Sequence, residues 1–214
     1  MFTKTLSILA GLSLLIAGCA IGRSGWVGAA GCQPLLSDTS STAWTHCDFT
    51  KESFEETEFT DARFITGSNF FRADLHGANL SRVMLYQNEF FYVDLREADL
   101  HEANLYLSKL DNALLNNSNL EGVFFWQTDL SSADLSGASL KKAYFKFADA
   151  TNANFTGANL TDALLYYTDI SGANFTDADL TGASMQTAVQ KGLTNPTTFC
   201  RTTMPDGTVN NEGC

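Results

Sequence analysis

The chain has 214 residues, of which 44% are hydrophobic and 17% charged, with 16 Gly and only 3 Pro. That apolar share excludes a disordered chain, and the length allows one domain of about 150 residues plus extensions. Thirteen Lys and Arg against 24 Asp and Glu give a net charge of −11, which argues against a nucleic-acid binder.

The first element is a targeting segment over residues 1–18. One positive charge, Lys4, precedes an apolar run from Thr5 to Ile16. Twelve residues rise about 18 Å as a helix, too short for a bilayer core of about 30 Å, so a signal peptide fits better than an anchor helix. Ile16-Ala17-Gly18-Cys19 resembles the lipobox of bacterial lipoproteins, and that resemblance makes Cys19 an acylated first residue. Ala20 after it resembles the outer-membrane signal of two-membrane bacteria. Ordinary signal-peptidase cleavage near Gly18-Cys19-Ala20 is the alternative. Residues 1–18 hold one Lys and no acid, so the mature chain keeps 12 basic and 24 acidic residues, a net −12.

Residues 19–46 read as an N-terminal linker or cap. Beyond Cys19, four cysteines remain: Cys32, Cys47, Cys200 and Cys214. Four cysteines allow three connectivities, and closeness in sequence favours Cys32–Cys47 and Cys200–Cys214. A zinc site is the competing reading. It lacks a CxxC pair, and the three His (His46, His76, His101) lie elsewhere.

The body, residues 47–187, is one repeat. Every fifth residue from Phe70 to Met185 is apolar: 15 Leu, 6 Phe, and Ala150, Ile170 and Met185. Two residues earlier Ala occurs 15 times, and one residue earlier Asp or Asn occurs 15 times. Phe49, Phe54, Phe59 and Phe64 keep the period one residue out of phase, which predicts a bulge near Ile65-Thr66-Gly67 that resets the register. A period of five matches neither an α-helix nor a half-buried strand, and a fixed short period points to a solenoid.

Units such as Ala73-Asp74-Leu75-His76-Gly77 and Ala158-Asn159-Leu160-Thr161-Asp162 resemble the A(D/N)LXX pattern of pentapeptide-repeat proteins. The resemblance implies an all-β fold: a right-handed quadrilateral parallel β-helix, one unit per side and 20 residues per coil. The central Leu or Phe and the small residue two before it then point inward. Twenty-eight units make about seven coils, roughly 34 Å of rod at the usual strand spacing. Residues 188–214 are the C-terminal cap, a turn-rich loop from Cys200 to Cys214 that resembles the disulfide loop of exported members from cyanobacteria and the chloroplast lumen. Asp and Asn before the central Leu serve the turn backbone in this pattern, which accounts for them without a Ca²⁺ site.

One residue after each centre, Tyr86, Tyr106, Trp126 and Tyr166 recur at multiples of 20, so aromatics gather on one side. Phe124, Tyr144, Phe147 and Tyr167 join them at other outward positions. So large an outward apolar patch reads as a protein-binding or self-association surface, or as a surface covered by residues 20–46, which carry Trp26 and Trp44. Carbohydrate or lipid contact is a third use. No GxSxG, HExxH, P-loop or GxGxxG occurs, and a filled interior leaves no room for a cofactor, so no catalytic residue, metal or cofactor is expected. The expected function is an exported, non-catalytic scaffold or protein-binding module, in the periplasm or on the outer membrane, or in the thylakoid lumen. It meets membrane only through the Cys19 lipid and meets no nucleic acid. DNA mimicry toward gyrase, known in this family, is the alternative. The acidic charge suits it and the signal peptide opposes it.

Overall fold

The structure, a computed structural model, describes residues 19–22, 25–28, 33–35, 42–59, 62–188 and 197–214. Residues 1–18, where a signal peptide is expected, Cys32 and the side chain of Cys19 lie outside the described residues.

Residues 47–188 wind as a four-sided parallel β-helix. Each central residue sits one coil beneath the next, and parallel bridges join residues 20 apart from Asn69↔Glu89 to Leu164↔Ser184. Numbering faces by the second coil, face 1 is centred on Phe70, face 2 on Leu75, face 3 on Leu80 and face 4 on Leu85. The ladder consumes the backbone polar groups coil by coil: Leu85 N donates to Asn104 O, and Asn104 N donates to Val83 O. At most corners a second bond closes the turn, as in Ala73 N to Phe70 O.

The sequence dictates these corners. The second residue after each centre has positive φ, from Gly67 (60°) through Tyr92 (56°) to Thr187 (60°). A left-handed residue at the third position of a closed turn is the type II signature. All fifteen Asp and Asn residues that precede a centre accept, through Oδ1, a hydrogen bond from the backbone N–H two residues on, as in Asn69 Oδ1 from Phe71 N. These are Asx turns. Left-handed geometry costs an L-residue about 1–2 kcal/mol that glycine escapes. Gly157 shows this cleanly, with φ 65° and nothing within 4 Å of an added Cβ. Gly157→Ala is expected to cost about 1 kcal/mol in urea unfolding, through the backbone alone.

Inward, Ala and Leu fill the rod. Leu75 through Leu165 are essentially unexposed, and phenylalanines stack from coil to coil. Phe70 and Phe90 centroids are 4.6 Å apart on face 1, and Phe155 and Phe175 are 4.8 Å apart on face 2. The corner from face 4 to face 1 is polar instead. Asn88, fully buried, donates Nδ2 to Ile65 O at 2.7 Å and accepts from Ser68 N at 2.8 Å. The buried hydroxyls of Ser108, Thr128 and Thr168 donate to Leu85 O, Leu105 O and Phe145 O. At Ile65 and Leu85 these side chains supply the donor that the turn backbone does not, and at Leu105 and Phe145 the threonine hydroxyl adds a second bond to a carbonyl that already accepts the turn N–H.

Two expectations shift in position. The register does reset, but earlier than the phenylalanine spacing suggested. Ile65, unexposed, takes the central place on face 4 six residues after Phe59, so the extra residue precedes Ile65 and does not lie near 65–67. Bridges across this first coil span 21 residues, as in Asp48↔Asn69. Strands β4 (Thr42–Thr45) and β5 (Ala62–Thr66) pair in parallel, with the register shifting between Thr42 and Ala43. Phe64 shares the five-residue period by coincidence of residue type. Antiparallel β3 (Gln33–Leu35) adds to β4, so the N-terminal edge of face 4 is covered by two strands. A separate hairpin pairs β1 (Cys19–Gly22) with β2 (Gly25–Gly28).

At the other end, the coil geometry recurs within the stretch read as a cap. Thr198 bridges Asn174 and Thr203 bridges Asp179, each 24 residues on. Phe199 stacks on Phe175 at 5.5 Å, and Met204 packs against the core. Buried Thr197 and Thr202 take the inward alanine positions, with hydroxyls bonded to Ile170 O and Phe175 O. Antiparallel β6 (Thr202–Thr203) and β7 (Val209–Asn210) close this edge. Cys200 and Cys214 are disulfide-bonded, and Cys47 is also in a disulfide.

Candidate interaction surface

Each coil presents three outward residues per face: the one before the centre and the two after it. On face 4, coils two to seven, these positions hold every one of the eight aromatics singled out from the sequence. The fold brings them together along one side of the rod. Phe124, Trp126, Tyr144, Phe147 and Tyr167 are exposed, by 39% to 52%, while Tyr86, Tyr106 and Tyr166 are half-buried. The exposed ones cluster in the fourth to sixth coils, and β4 extends the sheet edge beside β5, at the first coil.

The rings are ordered. Phe124 and Tyr144 stack at 4.7 Å and 8°, and Phe147 and Tyr167 at 5.1 Å and 17°. In the middle row Tyr106 and Trp126 meet at 5.5 Å, tilted by 50°. The closest stacking thus lies in the flanking rows. Lys146 occupies the middle row above Trp126, with Nζ 5.6 Å from that ring and 5.4 Å from Phe147. A cation over ring faces holds its chain along the surface. Between Tyr86, Asn104, Tyr106, Phe124 and Trp126 the surface dips into a shallow hollow.

Two features were not drawn from the sequence. The first is charge. Over coils two to seven, faces 1, 2 and 3 each carry five acidic residues at their outward positions, and face 4 carries none. Counting acids in columns of twenty along the sequence gives the same asymmetry. The second is backbone cost. Phe147 (φ 59°) and Tyr167 (φ 56°) sit at left-handed positions, where bulky residues are outliers. Over coils two to seven glycine takes this place at Gly77, Gly137, Gly157, Gly122, Gly182 and Gly172 on the other faces and nowhere on face 4, and Tyr92 on face 1 is a third exposed ring there. Bulky exposed rings there serve neither the turn nor the core.

A smaller aromatic patch lies on face 1. Phe71 and Tyr92 meet edge-on at 6.0 Å with Arg72 over both rings, and Lys109 lies over Phe91. Farther along this face burial, with Asp129 nearby, pushes the Asp111 carboxyl up. At the C-terminal end the Arg201 guanidinium, bonded to both oxygens of Asp177, holds that carboxyl below its usual range. His101 Nδ1 lies 2.9 Å from Asp99, and His76 is on the neighbouring face. Among the described residues no three His, Cys, Asp or Glu side chains gather as a metal site, and no helix is long and apolar enough to cross a membrane.

Comparison with known proteins gives the family. The model of pentapeptide repeats matches residues 68–105, 108–146 and 143–182. No curated protein matches the chain. Among solved structures, QnrB1, a plasmid-mediated fluoroquinolone resistance protein, is 24% identical over 66% of this chain and 68% of its own, with a TM-score of 0.56. HetL, a pentapeptide repeat protein involved in heterocyst differentiation regulation from the cyanobacterium Nostoc sp., is 24% identical over 78% of this chain and 88% of its own, with a TM-score of 0.27. A pentapeptide repeat protein from the Arabidopsis thaliana thylakoid lumen is 33% identical over 42% of this chain and 63% of its own, with a TM-score of 0.27. The likeness to QnrB1 is one of fold, the right-handed β-helix. With its five-residue period, its four-sided coil and a family model matching more than half its length, the chain belongs to the pentapeptide-repeat family.

Proposed function

We propose that this protein is an exported, non-catalytic scaffold that binds protein through face 4. The observation that carries this reading is the coincidence of eight aromatics with a complete absence of acid on one face of an acidic rod. Aromatic side chains give large contact area at low entropic cost, and protein interfaces favour a core depleted of charge, which here is Lys146 alone. The Cys19 lipid anchors the rod to the envelope, with 188–214 closing its far end. The remaining faces are mostly polar, the small ring patch on face 1 apart.

Trp126→Ala combined with Tyr106→Ala tests the reading. Both side chains are outward, so the circular dichroism spectrum and thermal midpoint are expected to stay within a few degrees of wild type. Affinity of the mature protein for its envelope partner is expected to fall at least tenfold, about 1.4 kcal/mol. Unfolding of the double variant, or undiminished binding, overturns the reading.

A further inference from the structure

We propose that face 4 docks onto face 4 of a second copy of this chain, with the two rods antiparallel. The inference rests on the reading of face 4 as a protein-binding surface and names its occupant.

Charge selects the occupant. Over coils two to seven the outward positions of faces 1, 2 and 3 carry net charges of −3, −4 and −2, and those of face 4 carry +1 from Lys146. Two copies of an acidic rod repel wherever other faces meet. Face 4 alone meets itself without opposed carboxylates. A basic partner favours acids on the surface it binds, and an acidic partner favours several cations. Near-neutrality with no acid fits a surface that meets its own copy.

Ring geometry agrees. Phe124–Tyr144 and Phe147–Tyr167 stack nearly parallel along the rod. Their planes therefore lie across the rod axis, one face of each ring is covered by its partner, and edges point outward. A sugar or nucleobase needs an open ring face. A row of ridges instead interdigitates with a like row. The eighteen outward residues over six coils, about 29 Å of rod at the usual strand spacing, approach the 20–30 residues a side of a standard interface.

Orientation follows from Lys146. In a parallel pair, each Lys146 opposes its counterpart. In an antiparallel pair that overlaps all of coils two to seven, the fourth coil faces the fifth, so Lys146 lies over Trp126 of the second copy, and Phe124 meets Tyr144. Antiparallel packing removes the like-charge contact and extends the cation–ring contacts already made within one chain.

Sedimentation equilibrium on the mature chain carrying Cys19→Ser is expected to give twice the monomer mass at micromolar concentration. Association is expected to tighten on raising NaCl from 0.05 to about 0.5 M, as acid repulsion between the rods is screened. Gln127→Glu, which places a carboxylate on the face, is expected to weaken the dimer at least tenfold. Gln87→Cys with Thr187→Cys is expected to form an 87–187 disulfide between copies on oxidation, because those positions lie five coils apart within one rod and oppose each other only in the antiparallel pair. A monomer at every concentration, or a dimer indifferent to Gln127→Glu, overturns the proposal, and absence of the 87–187 crosslink overturns the antiparallel form. A monomer whose partner binding still falls with Trp126→Ala and Tyr106→Ala sinks self-docking and leaves the protein-binding reading standing. A monomer that binds anionic vesicles through Trp126 overturns both.

Discussion

Leu120→Ala is expected to destabilise the protein by about 3–5 kcal/mol, the cost of a large core cavity. Leu120 is unexposed, at the middle of the rod on face 3. Rigid coils above and below hold its neighbours in place. The ladder bonds Leu120 N to Ser139 O and Asn119 N to Ala98 O fix the coil spacing, so the cavity has little means to collapse. Met185, only partly buried in the last full coil, gives the control: Met185→Ala is expected to cost under half as much. Urea unfolding of both variants checks the pair. Equal costs would mean that the ends are as tightly packed as the middle, against the repeat account.

Replacing both Cys200 and Cys214 by Ser is expected to remove about 3 kcal/mol, the loop-closure entropy of a 14-residue separation. The effect concentrates at the C-terminal edge. There Phe199 N, one residue before the disulfide, bonds Glu212 O, and inside the closed segment Met204 N bonds Thr208 O and β7 pairs β6. Arg201 and Asp177 tie the same segment to the seventh coil from an exposed site, where an ion pair contributes little. Hydrogen exchange at Phe199 and Val209 is expected to rise by orders of magnitude, while the amides of Leu100 and Leu120 keep their protection. Fast exchange throughout the rod would show that the edge, and not the stacked core, holds the fold.

The fold was legible because its physics is periodic. Leu and Phe at every fifth place, Ala two before and Asp or Asn one before each have one geometric job, and all three jobs appear where the period puts them. The bulge was displaced because Phe64 matches the period by residue type, whereas the register is set by backbone pairing that carries no residue-type signal. Phe199 and Met204 escaped notice because the intervening insertion makes their coil 24 residues long. Thr197 and Thr202 stand where alanine is usual, yet Thr-x-Phe followed five residues on by Thr-x-Met is the repeat in its inward positions. The aromatic face was legible as a column, since multiples of 20 name a side. Its ring order, Lys146 over Trp126 and the cost of Phe147 and Tyr167 at positive φ depend on side-chain and backbone angles that no spacing reveals.

The central claim, that face 4 is where this rod meets another protein, is tested most directly by placing one carboxylate at equivalent turn positions on different faces. Asn112, Asn117 and Gln127 share the same left-handed place, with φ of 58°, 60° and 53°, on faces 1, 2 and 4. Asn112→Glu, Asn117→Glu and Gln127→Glu are compared by sedimentation and by partner affinity at one ionic strength. The account predicts an at least tenfold loss for Gln127→Glu alone, with the other two at wild-type levels. Equal losses for all three, or a loss confined to Asn112→Glu or Asn117→Glu, would contradict it.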